Sequence, residues 1–300
     1  MLFNFIIIGL SLGLIYGLVA LGISLIYRGI DVVHFAQGEI FMLGAFVGLV
    51  ALKLHEGSVP YWLALIVTTI FIGILGVVIE RLFYRRLTEG GGGYTVAGMG
   101  IIICGFGMSM VLMGIAFIIW GNESKSYPVE FGPAIFLGEI FLPRTYIWSA
   151  VVGVVLMIVR SLFMYKTKLG LAARAVAFSR ETAYLMGVNV PLMISLIFGL
   201  GCAVTGAAGV LIAPILFAQI QMGYIMILKA FAAAVVGGFG SLPGAILGGV
   251  IVGLFETLCA GYLWDEYKDI YAFFLMLVVL MIRPSGLLGT TVTVSYTHLT

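Results

Sequence analysis

A polytopic bundle of transmembrane α-helices is the fold class this sequence predicts, and three observations predict it. Hydrophobic residues make up 62% of the 300-residue chain and charged residues only 9%, where a soluble domain carries about a quarter charged residues. Mean hydropathy is +1.21, so too little charge remains to face water around a globule of this size, and the solvent must be a bilayer. The apolar runs are also continuous and close to the ~20 residues of a membrane-crossing helix, about twice the ~10-residue alternating segments of a transmembrane β-barrel.

Those runs fall near residues 5–27, 37–54, 60–80, 95–120, 144–164, 190–212, 224–240, 244–260 and 270–283. Several are short, so the expectation is eight to ten spans in a single membrane domain over residues 1–289. No Lys or Arg precedes Arg28, and without a basic n-region or cleavage site the first run reads as a retained span. Lys and Arg gather in cytoplasmic loops. Arg81, Arg85 and Arg86 form one basic cluster, and Arg160, Lys166, Lys168, Arg174 and Arg180 form another. Both are expected inside, which places Glu123, Glu130 and Glu139 outside, together with Asp265, Glu266 and Asp269. The N-terminus then falls outside and Arg283 inside. Tyr61, Trp62, Trp120, Trp148 and Trp264 sit near run ends, as an interfacial aromatic belt does. The loop "TEGGGG" (88–93) is flexible by composition, and the tail at 290–300, "TTVTVSYTHLT", differs in style from the rest.

Catalytic chemistry finds no foothold. Cys104, Cys202 and Cys259 have no paired spacing and lie in apolar runs, as packing residues do. "GGGGYTVAG" (90–98) lacks the lysine of a phosphate loop. There is no nucleophile–base set and no H-E-x-x-H pair. No catalytic or metal residue is expected, no resident cofactor, and no nucleic-acid partner. If ATP drives this chain, partner subunits bind and hydrolyse it.

Residues 168–190, "KLGLAARAVAFSRETAYLMGVNV", interrupt the lipid-like sequence with Lys168, Arg174, Arg180 and Glu181. At helical spacing Leu171, Ala175, Phe178, Thr182 and Leu185 form a mostly apolar stripe, with Arg180 pointing away from it. Ser179 suits an N-cap, Glu181 the first turn and Gly187 the C′ position, and Pro191 opens the next span. The insert reads as a short amphipathic helix at the membrane surface. Two roles fit it: a helix lying in anionic headgroups, or a docking helix for a cytoplasmic partner.

Other polar features are sparse. Asp31 and the patch "HFAQGE" (34–39) open the second run. His34, Gln37 and Glu39 either cap that span at the interface or line and gate a path. Gly38, Gly44 and Gly48 have small-residue spacing, which favours close helix packing. "GGFGSLPGAILGG" (237–249), with Gly237, Gly238, Gly240 and Pro243, is either a broken element deep in the protein or a tight turn. A gapped echo lays Phe35, Gly44 and Gly48 against Phe239, Gly248 and Gly253. Lys229 and Glu256 are the most interior ionisable residues; they snorkel or pair, and snorkelling suits Lys229 better. Gln219 and Gln221 suggest a polar external mouth.

Within the insert, "ETAYLMG" (181–187) has the form E-x-A-x-x-x-G, with Glu181, Ala183 and Gly187 in place. It resembles the coupling-loop motif of bacterial ABC importer permeases. "GLIYGLVALGISLIYRG" (13–29), "VVHFAQGEIFMLGAFV" (32–47), "AVVGGFGSLPGAILGGVIVGLFE" (234–256) and "IRPSGLLG" (282–289) resemble, in order, the signatures of branched-chain amino-acid permeases of the H type. His34 departs from the Asn usual in the family's N-F-A-x-G motif, and the tail beyond Gly289 matches nothing in it. The resemblance implies a multi-pass subunit of the bacterial inner membrane. Its implied partners are a second related permease, two cytoplasmic ATP-binding subunits, membrane lipid, and a periplasmic or lipid-anchored solute-binding protein that delivers leucine, isoleucine or valine. It implies ATPase coupling through Arg174, Ser179, Arg180, Glu181, Ala183 and Gly187. Translocation or gating would fall to His34, Gln37, Gly38, Glu39, Gly237, Gly238, Gly240 and Pro243. Two other functions compete: an ABC permease for a sugar, urea or amide, and an ion-coupled secondary carrier.

Overall fold

Among the described residues, nine apolar helices stand where the nine runs were read. The computed structural model describes residues 2–54, 59–89, 94–129, 131–137 and 140–289. The tail at 290–300, the glycine run at 90–93, and Glu130 and Glu139 lie outside the described residues. In chain order come α1 (Leu2–Ile30), α2 (Gln37–Lys53), α3 (Tyr61–Ile79), a π-helical turn (Glu80–Tyr84), α4 (Arg85–Glu89) and α5 (Tyr94–Trp120). An antiparallel hairpin follows, β1 (Ile135–Leu137) with β2 (Ile140–Leu142), pairing Phe136 with Phe141. Then come α6 (Arg144–Lys166), α7 (Lys168–Phe178), α8 (Arg180–Leu185), α9 (Val190–Leu216), α10 (Met222–Gly237), α11 (Leu242–Tyr262) and α12 (Lys268–Ile282).

Six of these are long and apolar enough to cross a membrane: α1, α3 with its continuation, α5, α6, α9 and α11. The other three apolar helices, α2, α10 and α12, have 17, 16 and 15 residues. At 1.5 Å per residue they reach only about 23–26 Å, short of the ~30 Å hydrocarbon core. Over their most apolar stretches α9 and α1 are 83% and 72% buried, against 28% for α5 and α6. The centre is therefore α1 and α9, with α5 and α6 on the periphery.

The chain is built as an inverted repeat, though not along the gapped echo of glycines. Each of the two long central helices ends on a non-glycine residue with positive φ, Asp31 (58°) after α1 and Phe217 (61°) after α9. A short irregular segment follows each, and then a short helix, α2 or α10. The third helices exchange: α3 packs on α9, and α11 packs on α1. Short helices exchange too, α2 onto α9 and α10 onto α1. The echo fails because its glycines serve unrelated contacts. Gly44 meets the backbone of Gly206, whereas Gly248 meets Ala233 and Gly237, and Gly253 meets Gly13. Glycine-rich runs align wherever helices pack closely, whatever they pack against.

Close packing also fixes where α2 sits. A Cβ on Gly209 would stand 2.1 Å from the carbonyl oxygen of Phe41, and one on Gly44 would stand 2.2 Å from that of Gly206. Backbone cannot yield as a side chain can. Gly209→Ala is expected to lower stability by about 1–3 kcal/mol or more, through overpacking, measured as a drop in melting temperature of the detergent-solubilised protein.

One end of the bundle is basic. Arg28 Nε donates to the Gly240 carbonyl, Arg85 donates to Pro191 O (3.1 Å) and Ser195 Oγ (2.7 Å), and Arg180 donates to Gly29 O (2.7 Å). The helices α7 and α8 lie at this end. At the other end Lys125 and Ala218 exchange backbone hydrogen bonds of 2.8 and 2.9 Å. Trp62, Trp148 and Trp264 are exposed there, while Trp120 turns inward to stack on Phe46 and the Tyr61 hydroxyl donates to Val210 O.

Candidate functional site

The insert at 168–190 is two helices, not one. Ser179 takes an extended conformation (φ −156°, ψ 114°) that ends α7, and its Oγ accepts from Thr182 N to cap α8. An N-cap needs non-helical dihedrals, so the cap read in the sequence is itself the break. The stop is also chemical. Gly187 has φ 81°, its N–H donates to Tyr184 O, and Val188 N–H donates to Ala183 O, the paired bonds of a Schellman motif. Asn189 Oδ1 then accepts from Leu192 N to open α9.

The buried side of this insert is small: Val176 and Ala183 pack against Met193, Ile194 and Val188, and Ala173 packs with Leu25, Met164 and Ile197. The predicted stripe faces the other way. Phe178 is 93% exposed, Leu185 77% and Leu171 61%, joined by Met186 at 80%. Between α7 and α8 lies an apolar cleft of about 340 Å³ lined by Leu171, Ala175, Phe178, Thr182, Ala183 and Met186. Glu181 is exposed in the first turn of α8. Arg180 points back, pairing with Asp31 at 3.3 Å as well as with the Gly29 carbonyl. Arg174 lies 4.8 Å over the Tyr165 ring. The insert thus presents an apolar face outward while its basic side chains bind it to the ends of α1 and α6.

The polar patch at 34–39 is buried within the bundle. His34 Nδ1 lies 2.7 Å from the Tyr84 hydroxyl, and its ring packs against Phe198. Gln37 Nε2 donates to Gly201 O (3.1 Å) and Thr205 Oγ1 (2.5 Å), tying α2 to α9. No side chain caps α2, whose N-cap is Ala36. Capping therefore does not describe His34 or Gln37; they are cross-links of the interior. At Gly38 the start of α2 meets the start of α10. A Cβ on Gly38 would be 2.4 Å from Gly223 O, and one on Gly223 2.5 Å from Gly38 O. Glu39 follows in the first turn, 6% exposed, and lines a cavity shared with α5 and α10. Because an asparagine amide can still reach a phenol hydroxyl, His34→Asn is expected to leave transport within about twofold of the parent, the loss of one modest hydrogen bond at most; initial uptake rate checks it.

The glycine-rich stretch takes the turn reading. α10 ends at Gly237, Gly238 and Gly240 adopt φ of 106° and 80°, and Ser241 Oγ accepts from Gly244 N to start α11, with Pro243 in its first turn. Leu287 and Leu288 N–H groups donate to Val236 and Gly237 carbonyls, covering this turn with the end of the chain. The irregular segments at 31–36 and 217–221 lack the Gly-Pro signature; each begins at an exposed residue, Asp31 or Phe217, and leads into the buried start of α2 or α10.

Lys229 does not snorkel. Its Nζ lies 2.7 Å from Glu256 Oε1 and 2.7 Å from Asp269 Oδ1, with the Tyr16 hydroxyl donating to Glu256 at 3.3 Å. With its side chain only 6% exposed and two carboxylates within 2.7 Å, Lys229 is held by pairing. Sequence reading named Lys229 and Glu256 but missed Tyr16 and Asp269. It also missed a second buried group, in which Glu80 accepts from Ser195 (2.5 Å) and pairs with Arg85 (3.3 Å). Glu80 closes the apolar run at 60–80 directly before Arg81, a lone carboxylate at a span end that could have drawn notice.

Residues 5–280 match the family described as the branched-chain amino acid transport system permease component. The chain belongs to this family. It is 33% identical over 296 residues to the high-affinity branched-chain amino acid transport system permease protein LivH of Salmonella typhimurium, covering 94% of this chain and 93% of that one. It is 34% identical over 298 residues to BraD of Pseudomonas aeruginosa, named as the same kind of permease, covering 94% of each. A probable LivH permease of Methanocaldococcus jannaschii is 29% identical over 289 residues, covering 91% and 88%. The chain is a multi-pass helical membrane permease of this family, and its relatives are named permease proteins of branched-chain amino acid transport systems.

Proposed function

We propose that this chain is one of the two membrane halves of an ATP-driven importer of leucine, isoleucine and valine. A second, related permease completes the pore. A solute-binding protein docks on the external end, and two ATP-hydrolysing subunits bind the basic, cytoplasmic end, one of them at α7–α8. The observation that carries this reading is the outward apolar face of the insert. Apolar patches of this kind mark partner surfaces, and this one is tied by Arg180 to the end of α1. Motion of a docked partner would pass along a stiff path: α8, Arg180, the Asp31 break, then the half-helix α2. Alternating access follows when closure of the ATPase dimer shifts that path and tilts the permease halves about a central site.

Mild-detergent purification of the tagged chain from its native host, followed by mass spectrometry, tests the assembly. A phosphate-loop ATPase and a second permease should accompany it in stoichiometric amounts. A chain that purifies alone and moves solute without ATP would overturn the reading and favour an ion-coupled carrier.

A further inference from the structure

Three carboxylates are buried among the described residues: Glu39, Glu80 and Glu256. Glu80 is matched by Arg85, and Glu256 by Lys229. Glu39 has no cation. Its Oε2 is buried without a hydrogen-bond partner, and the groups within reach of the carboxylate are neutral, the Ser109 hydroxyl and its own backbone N–H. An ionised carboxylate out of water without a counter-ion is costly, and bundles retain such groups for a use.

The cavity beside it supplies a use. It measures about 690 Å³ and lies between α2, α5 and α10, within the ~300–1,000 Å³ of small-molecule sites. Its polar atoms come from Glu39, Ser109, Gln221 and Tyr224, and the rest of the wall is apolar, with Phe106 and Met113 on the α5 side. Gln221 holds the N-cap position of α10 but makes no capping bond to it; Met222 and Ile225 N–H donate to the Gln219 and Gln221 carbonyls, which leaves the Gly223 and Tyr224 N–H groups and the Gln221 amide to bind an anion. The α10 start stands opposite Glu39 because Gly38 and Gly223 bring the two half-helix beginnings into backbone contact. A cation acceptor and an anion acceptor therefore face each other across an apolar wall. Met110 (73% exposed) and Tyr224 (66% exposed) leave the cavity open on the α5–α10 side.

We propose that this cavity is the transient membrane site for a zwitterionic aliphatic amino acid: Glu39 takes the ammonium group, the first turn of α10 with Gln221 takes the carboxylate, and the apolar wall takes the side chain. The site rests on the importer reading, and the second permease closes its open side. It makes the break after Phe217 functional, since only a half-helix can present its beginning at this depth.

The test uses the whole importer, purified with its partners and reconstituted with enclosed ATP, and reads radiolabelled leucine uptake, complex assembly and ATP hydrolysed per leucine. Glu39→Gln should lower uptake at least about tenfold and raise ATP hydrolysed per leucine to match, the loss of a charge-assisted contact, while the complex still assembles. Glu39→Asp should recover part of the uptake. Met110→Trp, a change at an exposed position that narrows the cavity, should also lower uptake in an assembled complex. Wild-type uptake by Glu39→Gln would overturn the site. So would a Glu39→Gln complex that fails to assemble while Met110→Trp transports normally, because Glu39 would then be a structural charge at the start of α2. A parent complex that does not accumulate leucine at all would reject the importer reading itself, before any variant is compared.

Discussion

Replacing Lys229 with alanine is expected to destabilise the bundle by about 3–5 kcal/mol, the cost of leaving one member of a buried ion pair without its partner. Lys229 and Glu256 have side chains only 6% and 5% exposed, and Lys229 is the cation shared by α10, α11 and the start of α12. Tyr16 on α1 can donate one hydrogen bond to Glu256 but brings no charge. The double change Lys229→Met with Glu256→Leu should cost much less than either charge removed alone, because an apolar pair of similar volume carries no desolvation penalty. Thermal unfolding of the four proteins in detergent closes the cycle. Near-additive losses would show that the cluster contributes little beyond its separate parts.

The second large effect falls on transport, not stability. Glu181→Lys is expected to abolish uptake while the protein still inserts and purifies. Glu181 is exposed in the first turn of α8 and enters none of the ion pairs formed within the described residues. Reversing a charge there costs the chain itself only about 0.3–1 kcal/mol through the helix dipole. A large functional loss would therefore belong to an intermolecular contact. Uptake by the reconstituted complex, compared with the amount of chain in the membrane, checks it; wild-type uptake would remove α8 from the coupling path.

Much of the fold was legible in the chain because lipid imposes it. Runs such as 190–212 and 144–164 have to be helices once the solvent is a bilayer, since their backbone groups have no other partner. The local chemistry of the insert was equally legible. Ser179, Gly187 and Pro191 act within a few residues of themselves, so their roles in capping, stopping and starting helices need no tertiary knowledge. What pairs with what was hidden. Gln37 reaches Thr205 across 168 residues, and Lys229 reaches Asp269 from a separate helix. The helix breaks were hidden for another reason. Asp31 and Phe217 hold positive φ without glycine, so the usual mark of such a backbone is missing. Tertiary packing around Gly38 and Gly223 imposes these breaks, while the conspicuous Gly-Pro run at 237–243 makes only a turn. Glu39 was named as a path residue from its place beside a span; that it alone among the buried carboxylates of the described residues lacks a cation was visible only in three dimensions.

The central claim is that energy enters this chain through α7–α8 from a partner that hydrolyses ATP. Its most direct test is leucine accumulation in proteoliposomes holding the purified complex, with binding protein and leucine outside and ion gradients collapsed. Accumulation should require enclosed ATP and should vanish with Glu181→Lys. Accumulation by the chain alone, driven by an ion gradient with no ATP present, would contradict the account.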